Sequence, residues 1–239
     1  GLDRTNTIPS DMMQTVIPVD SGWPRTVYTI TTTTEDQQSQ RLLVFTQDSP
    51  RQNYKLWGVA RLFAGAQLPR FTVPEIGTQM GLPNDTGLVA TPQEAVERYA
   101  DVLQNGANSE FADQFADDSL RQTIASVAQT VQEGMERNNG TQTQTFTVVP
   151  DAIKIMRSSD GGDLVVAQIN SEWTRAAGDG RESLPASDEE QALFGDGTAT
   201  STMKVTYVNI VALYVPPEDS GEPITAVGAE RKPIKVEAI

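Results

Sequence analysis

Alternating apolar and polar positions dominate both ends of the chain and predict antiparallel strands. Near the N-terminus residues 27–34 are β-branched and alternating, and the strand-like stretches 42–45 and 54–63 follow, with turn-forming Gly, Pro, Asp and Ser residues between these stretches. Toward the C-terminus the longest alternating run, 203–215, is followed by a Pro- and Gly-containing turn and a second run over 224–236. The pattern therefore predicts two antiparallel meanders, one toward each end of the chain.

Helical spacing replaces the alternation in the middle of the chain. Thr91, Pro92 and Glu94 form the pattern of a capping box with proline at the first helical position, which predicts a helix that ends near 105. A longer helix is predicted after Asp117 or Asp118. Its apolar positions share one face and are Leu120, Ile124, Val127, Val131 and Met135. Such a stripe is typical of a helix that faces a core, so Val127→Asp is predicted to unfold the C-terminal half.

The order of these elements predicts an α+β fold. Helices followed by a long antiparallel meander favour a curved antiparallel sheet packed on helices, and we expect an NTF2-like or cystatin-like cone over residues 91–239. Residues 1–70 predict a β-rich N-terminal unit, which could be an incomplete repeat of the same fold. Residues 71–90 are rich in Gly and Pro and predict a connector between the two units.

Composition excludes several kinds of chemistry. The 239 residues include no histidine and no cysteine, which excludes thiol enzymes, Ser-His-Asp hydrolases, structural zinc and haem or iron–sulfur ligation by these residues. We therefore predict no cofactor and no metal site. A formal net charge of −14 argues against a nucleic-acid partner, and no apolar run is long enough to span a membrane.

Five sequence strings together resemble a known family. They are Trp23–Arg25, Asn53–Gly58, Ala60–Phe63, Tyr99–Leu103 and Ala226–Arg231. The chain resembles a domain of unknown function in exported, often lipid-anchored actinobacterial proteins, and the resemblance covers most of its length. It implies a leader and a lipidated cysteine upstream of Gly1, and hence an extracytoplasmic location at the cell surface. The resemblance implies no activity and no functional residues.

The predicted cone provides the candidate site. Tyr99 on the first helix, with Trp173 and Tyr207 on strands, could line a pocket for a small ligand, although aromatic residues at such spacings more often fill a core. If the pocket were catalytic, Asp101 or Glu172 would be the nearest candidates for a carboxylate base. The acidic run Asp188–Glu190 is predicted to add negative charge near the start of a short helix.

These observations favour a non-catalytic extracytoplasmic module that binds an unidentified protein or small molecule. One alternative is a carrier of a small apolar ligand in the predicted pocket. The other is a carboxylate-dependent isomerase or hydratase of the same predicted fold. A raised carboxyl pKa inside a cavity would favour the enzyme, and a dry cavity behind Trp173 would favour the carrier.

Overall fold

Antiparallel strands of one sheet make up most of the protein. The computed structural model describes residues 12–31 and 40–239, so the predicted strand positions 32–34 lie outside the described residues. The described strands are β1 (Met12–Val16), β2 (Arg25–Thr31), β3 (Arg41–Gln47), β4 (Lys55–Leu62), β5 (Thr141–Arg157), β6 (Asp163–Ala176), β7 (Thr202–Val215) and β8 (Thr225–Ala238). The α-helices of the same residues are α1 (Pro92–Asn105), α2 (Ser119–Glu136) and α3 (Asp188–Phe194).

The strands follow the spatial order β1-β2-β3-β4-β8-β7-β6-β5, so the N-terminal and C-terminal meanders belong to one sheet. They join where β4 pairs with β8, through Arg61 opposite Ala229 and Leu62 opposite Gly228. A Cβ atom at Gly228 would lie 2.6 Å from the carbonyl oxygen of Arg61. Glycine at this position therefore permits the close approach of the two backbones that joins the meanders.

This architecture contradicts the predicted fold class. The protein is mainly a single curled antiparallel sheet resembling a half-barrel, and it is not an NTF2-like or cystatin-like α+β cone with a separate β-rich unit in front. Each meander was predicted correctly as local structure, since β7 covers Thr202–Val215 and β8 covers Thr225–Ala238. The error concerns the pairing of β4 with β8, which joins residues far apart in the sequence.

Curling lets the N-terminal strands cover one face of the C-terminal strands. The hydroxyl of Tyr28 on β2 donates hydrogen bonds to the carbonyl oxygens of Lys154, at 2.6 Å, and Leu164, at 3.0 Å. An apolar core fills the space inside the curl; its buried members include Val16, Tyr28, Ile30, Leu42, Val44, Ala60, Met156, Leu164, Val166 and Ala212. The apolar face of the N-terminal meander is therefore buried against the rest of its own sheet.

Helix α1 lies on the other face of the C-terminal strands. The predicted capping box is confirmed: Glu94 N–H donates to Thr91 Oγ1 and the Thr91 N–H donates to the Glu94 carboxylate. The helix packs mainly on β5, β6 and β7. Its buried apolar residues are Ala95, Val96, Tyr99, Ala100, Val102 and Leu103, which meet a core of strand residues that includes Phe146, Ile155, Val165, Ile169, Val211 and Leu213.

Helix α2 is packed much less closely than its sequence predicts. The helix begins after Asp118, which is one of the two residues predicted as its cap. Only Leu120 and Ile124 of its apolar stripe are buried. The side chain of Val127 is 44% exposed. α2 contacts mainly β5 and α1. The premise of the predicted unfolding by Val127→Asp, that Val127 is buried against the sheet, is therefore wrong.

Residues 71–90, predicted as a connector, run along the sheet and make isolated bridges. Thr78 pairs with Pro18, Met80 with Met156, and Leu88 with Pro217. The predicted division into two domains stays a prediction. Among the residues that the structure describes, no helix has both the length and the apolarity to cross a membrane.

Candidate functional site

The space left under α2 forms an open groove of about 400 Å³, which we call the helix–sheet groove. One wall is the loosely packed face of α2, and the floor is the surface of β6, β7 and β8. The residues that line it are Phe63, Ser119, Leu120, Thr123, Ile124, Val127, Ala128, Gln144, Trp173, Ser187, Glu189, Tyr207, Ala229, Arg231 and Pro233. The lining is thus mostly apolar, with a few charged and polar groups, as is usual for small-ligand sites.

Two of the three predicted pocket residues meet in this groove. Trp173 on β6 and Tyr207 on β7 lie on its floor. Tyr99 does not line it, because this side chain is fully buried in the α1 core. The Tyr99 hydroxyl donates to Asp118 at 3.0 Å, and its ring centroid lies 5.4 Å from that of Phe115.

The two predicted candidates for a carboxylate base also lie elsewhere. Asp101 accepts hydrogen bonds from Asn105 at 2.9 Å and Ser109 at 2.5 Å. Glu172 lies on the face of β6 opposite to Trp173, and its carboxylate lies 3.8 Å from the ammonium group of Lys204. Neither carboxylate lines the helix–sheet groove.

A buried ion pair supports one end of the groove floor. The Arg175 guanidinium donates to both carboxylate oxygens of Glu190, at 3.2 and 2.6 Å, and both side chains are almost completely buried. The other hydrogen bonds to Glu190 come from the Tyr207 hydroxyl at 2.5 Å and the Ala186 N–H at 2.8 Å. Burial opposes ionisation of Glu190, but these donors and the Arg175 charge outweigh it and lower the pKa of this carboxyl.

The indole of Trp173 is held by the same network. Its Nε1 donates to Gln142 at 2.8 Å, and the Arg175 guanidinium lies 4.5 Å from the ring centroid. Tyr207 is fixed at the other end of the floor by its bond to Glu190, and burial together with that carboxylate raises the pKa of the Tyr207 hydroxyl. The aromatic floor is therefore rigidly positioned and uncharged at neutral pH.

Arg231 on β8 provides a second cation, and its environment is different. Its guanidinium lies 3.8 Å from the centroid of the Tyr207 ring, and Nη1 donates to Asn209 at 2.8 Å and to Ser171 at 2.9 Å. Both acceptors are neutral. Burial lowers the pKa of Arg231 to about 10, so the group is still protonated at neutral pH. Among the described residues, Arg231 has no ion-pair partner within 4.0 Å.

The most strongly raised carboxyl pKa among the described residues lies outside the groove. Burial, with a contribution from the nearby carboxylate of Asp85, raises the pKa of Asp163 to about 8. Asp85 is itself engaged by Arg157, whose Nη2 lies 2.6 Å from its carboxylate. Asp163 is therefore buried at the start of β6 beside the partly exposed pair of Asp85 and Arg157, and it does not line the helix–sheet groove.

No set of three or more acidic side chains able to hold a metal ion occurs within residues 12–31 and 40–239. The side chains of the acidic run Asp188–Glu190, which was predicted to add charge at a helix start, point to different places in the structure. Glu190 turns inward to Arg175, whereas Glu189 lies at the groove and pairs with Lys232 at 3.0 Å.

Sequence reasoning missed the charged residues of this site. Arg175 shares the inward register of Ile169, Ser171 and Trp173 on β6, and Arg231 shares the register of Ala229 on β8. A charge at an inward position of an alternating strand could have indicated both. The burial of Glu190 has no comparable signal in the sequence, because it depends on the packing of α3 against the sheet.

The fold and groove thus define a curled-sheet domain with a helix-covered cleft. Residues 5–236 match the sequence model of the family described as Domain of unknown function (DUF8094), and the chain belongs to that family. The comparisons with curated proteins and with solved structures gave no match to the chain.

Proposed function

We propose that this domain is a non-catalytic binding module that holds a small ligand in the helix–sheet groove. The observation that carries the proposal is the incomplete packing of α2. An apolar helix face covers an aromatic floor without filling the space between them, although α1 on the same sheet packs closely. A volume of about 400 Å³ lies within the range of known small-ligand sites.

The polar groups under the groove support binding more than catalysis. Glu190 accepts four hydrogen bonds and is buried, and Glu189 pairs with Lys232. The carboxyl with the raised pKa, Asp163, is outside the groove. An acid or base catalyst must be able to reach the proton that it transfers, and these carboxylates are committed to structural partners.

We also propose that the module works outside the cytoplasm, at the cell surface. The support is its resemblance to exported, often lipid-anchored proteins. Digestion of the protein by protease added to intact source cells would test the location. Protection from the protease until the cells are lysed would contradict it.

Binding of the neutral fluorescent probe N-phenyl-1-naphthylamine tests the proposed site. We expect saturable binding at one site per chain. Val127→Trp should fill the groove and weaken binding at least about tenfold, whereas Ser126→Trp, on the exposed face of the same helix, should not change it. Absence of saturable binding to the wild type, or equal binding by the two variants, would contradict the proposal.

A further inference from the structure

We infer that the ligand of the helix–sheet groove is an organic acid with an apolar body, whose carboxylate is bound by Arg231. The inference rests on the proposed function, because it names the chemical class of the ligand at that site. It comes from the comparison of two guanidinium groups at the groove floor, the buried Arg175 and the partly buried Arg231.

The protein neutralises Arg175 completely. Glu190 lies against it with both oxygens, at 3.2 and 2.6 Å, and the remaining acceptor capacity of Glu190 is taken by Tyr207 and Ala186. Two oxygens that already accept four hydrogen bonds have no lone pair left for another donor. Glu190 therefore makes no direct hydrogen bond to Arg231, although its charge acts on Arg231 from a distance and raises the pKa of that guanidinium.

Arg231 is held in place without being neutralised. Its Nη1 donates to the neutral side chains of Asn209 and Ser171, while Nε and Nη2 make no hydrogen bond to any described residue and are not fully buried. These two nitrogens form one edge of the planar guanidinium. That edge matches the two oxygens of a carboxylate, which can accept a pair of parallel hydrogen bonds from it.

Position and charge indicate the same ligand. Arg231 lines the groove beside Ala229 and Pro233, with the ring of Tyr207 packed against its guanidinium. A partly desolvated cation gains more from an anion than an exposed one does, because the low local dielectric strengthens their attraction. The apolar wall formed by Leu120, Ile124 and Val127 would then contact the hydrocarbon part of the same molecule.

Three ligands with the same chain length separate charge from apolar contact: octanoate, octan-1-ol and octylammonium. At pH 7 we expect calorimetric titration of the wild type to give octanoate at least about tenfold tighter binding than octan-1-ol, with octylammonium the weakest. Equal affinity for octanoate and octan-1-ol, or a preference for octylammonium, would overturn the inference.

Variants then assign the preference to one residue. Arg231→Gln should weaken octanoate binding at least about tenfold more than it weakens binding of octan-1-ol and of the neutral naphthylamine probe. Lys235→Gln removes the same charge from an exposed position of the same strand and should behave as the wild type. Equal loss of octanoate and octan-1-ol in Arg231→Gln would contradict a specific contact with the carboxylate.

One measurement needs no variant and remains decisive if Arg231→Gln does not fold. The ¹³C shift of carboxyl-labelled octanoate, titrated with acid while bound to the wild type, reports the pKa of the bound carboxyl. A pKa below that of free octanoate is expected beside a guanidinium, and an unchanged or raised value would overturn the inference. If neither octan-1-ol nor the neutral probe binds the wild type, the proposed function itself fails; if both bind and octanoate has no advantage, only this inference fails.

Discussion

Helices α1 and α2 lie on the same face of one sheet and have similar apolar stripes, yet only α1 is fully packed. α1 buries a complete face that includes Val96 and Tyr99, whereas α2, with 18 residues, buries only Leu120 and Ile124. An amphipathic pattern shows which side of a helix turns toward the protein, but it does not show how closely the protein approaches that side. The open space under α2 is where the proposed site lies.

The sharpest test of this contrast places the same charge on each helix. Val96 is 1% exposed, so Val96→Asp puts a carboxylate into the core and should lower the free energy of unfolding by about 5 kcal/mol. Val127→Asp faces the open groove and should lower it by about 1 kcal/mol or less. Urea denaturation followed by circular dichroism measures both. Equal losses would show that α2 is packed as closely as α1.

A second test measures how much the ion pair of Arg175 and Glu190 stabilises the sheet beneath the helix–sheet groove. Glu190→Ala would leave Arg175 buried without its anion and should cost roughly 3 to 4 kcal/mol. Asp188→Ala, at an exposed position of the same short helix, should cost less than about 1 kcal/mol. A Glu190→Ala loss as small as that of Asp188→Ala would mean that the ion pair contributes little to this side.

The same ion pair makes stability depend on pH. Because the pKa of Glu190 is lower in the folded protein than in the unfolded chain, the unfolded chain binds the proton more readily. Its contribution is therefore present above the ordinary glutamate pKa and is lost as the pH falls through the lower folded value. Melting temperatures measured from pH 7 to pH 3 should fall more steeply for the wild type than for Glu190→Gln. Parallel curves would contradict this account.

The contact between the two helices should have an intermediate effect. The hydroxyl of Tyr99 on α1 donates to Asp118, which also caps α2 through the Arg121 N–H at 2.9 Å. Tyr99→Phe removes one hydrogen bond and should cost about 1 kcal/mol; Asp118→Ala also removes the cap and should cost about 2 kcal/mol. Equal losses would show that the cap of α2 adds nothing measurable, as its loose packing would allow.

The smallest expected effect is a gain within α2. Gly134 is inside the helix, and a Cβ atom there would meet nothing within 4 Å. Gly134→Ala should therefore stabilise the protein by about 0.5 kcal/mol and slow amide hydrogen exchange in α2 without slowing it in α1. Slower exchange in both helices would indicate that they open together as one unit.

Local structure was predictable because its signals are local. The capping box at Thr91 and Glu94 and the alternation along β7 each depend on neighbouring residues. The fold class was wrong because the pairing of Leu62 with Gly228 connects distant residues, and glycine at 228 has a clear role only once Arg61 is known to lie beside it. For the site, the sequence indicated Trp173 and Tyr207, whereas Arg231 and Glu190 became evident only from their burial and partners.

The short pairing of β4 with β8 at Gly228 also determines which shortened forms of the protein can stay soluble. A fragment that starts at the predicted connector would keep α1, α2 and the groove residues other than Phe63. It would leave β8 as an open edge and uncover Leu164 and Val166 on the back of the sheet. Such a fragment should self-associate in solution. Ligand studies therefore require the chain with both meanders, since the first protects the second from aggregation.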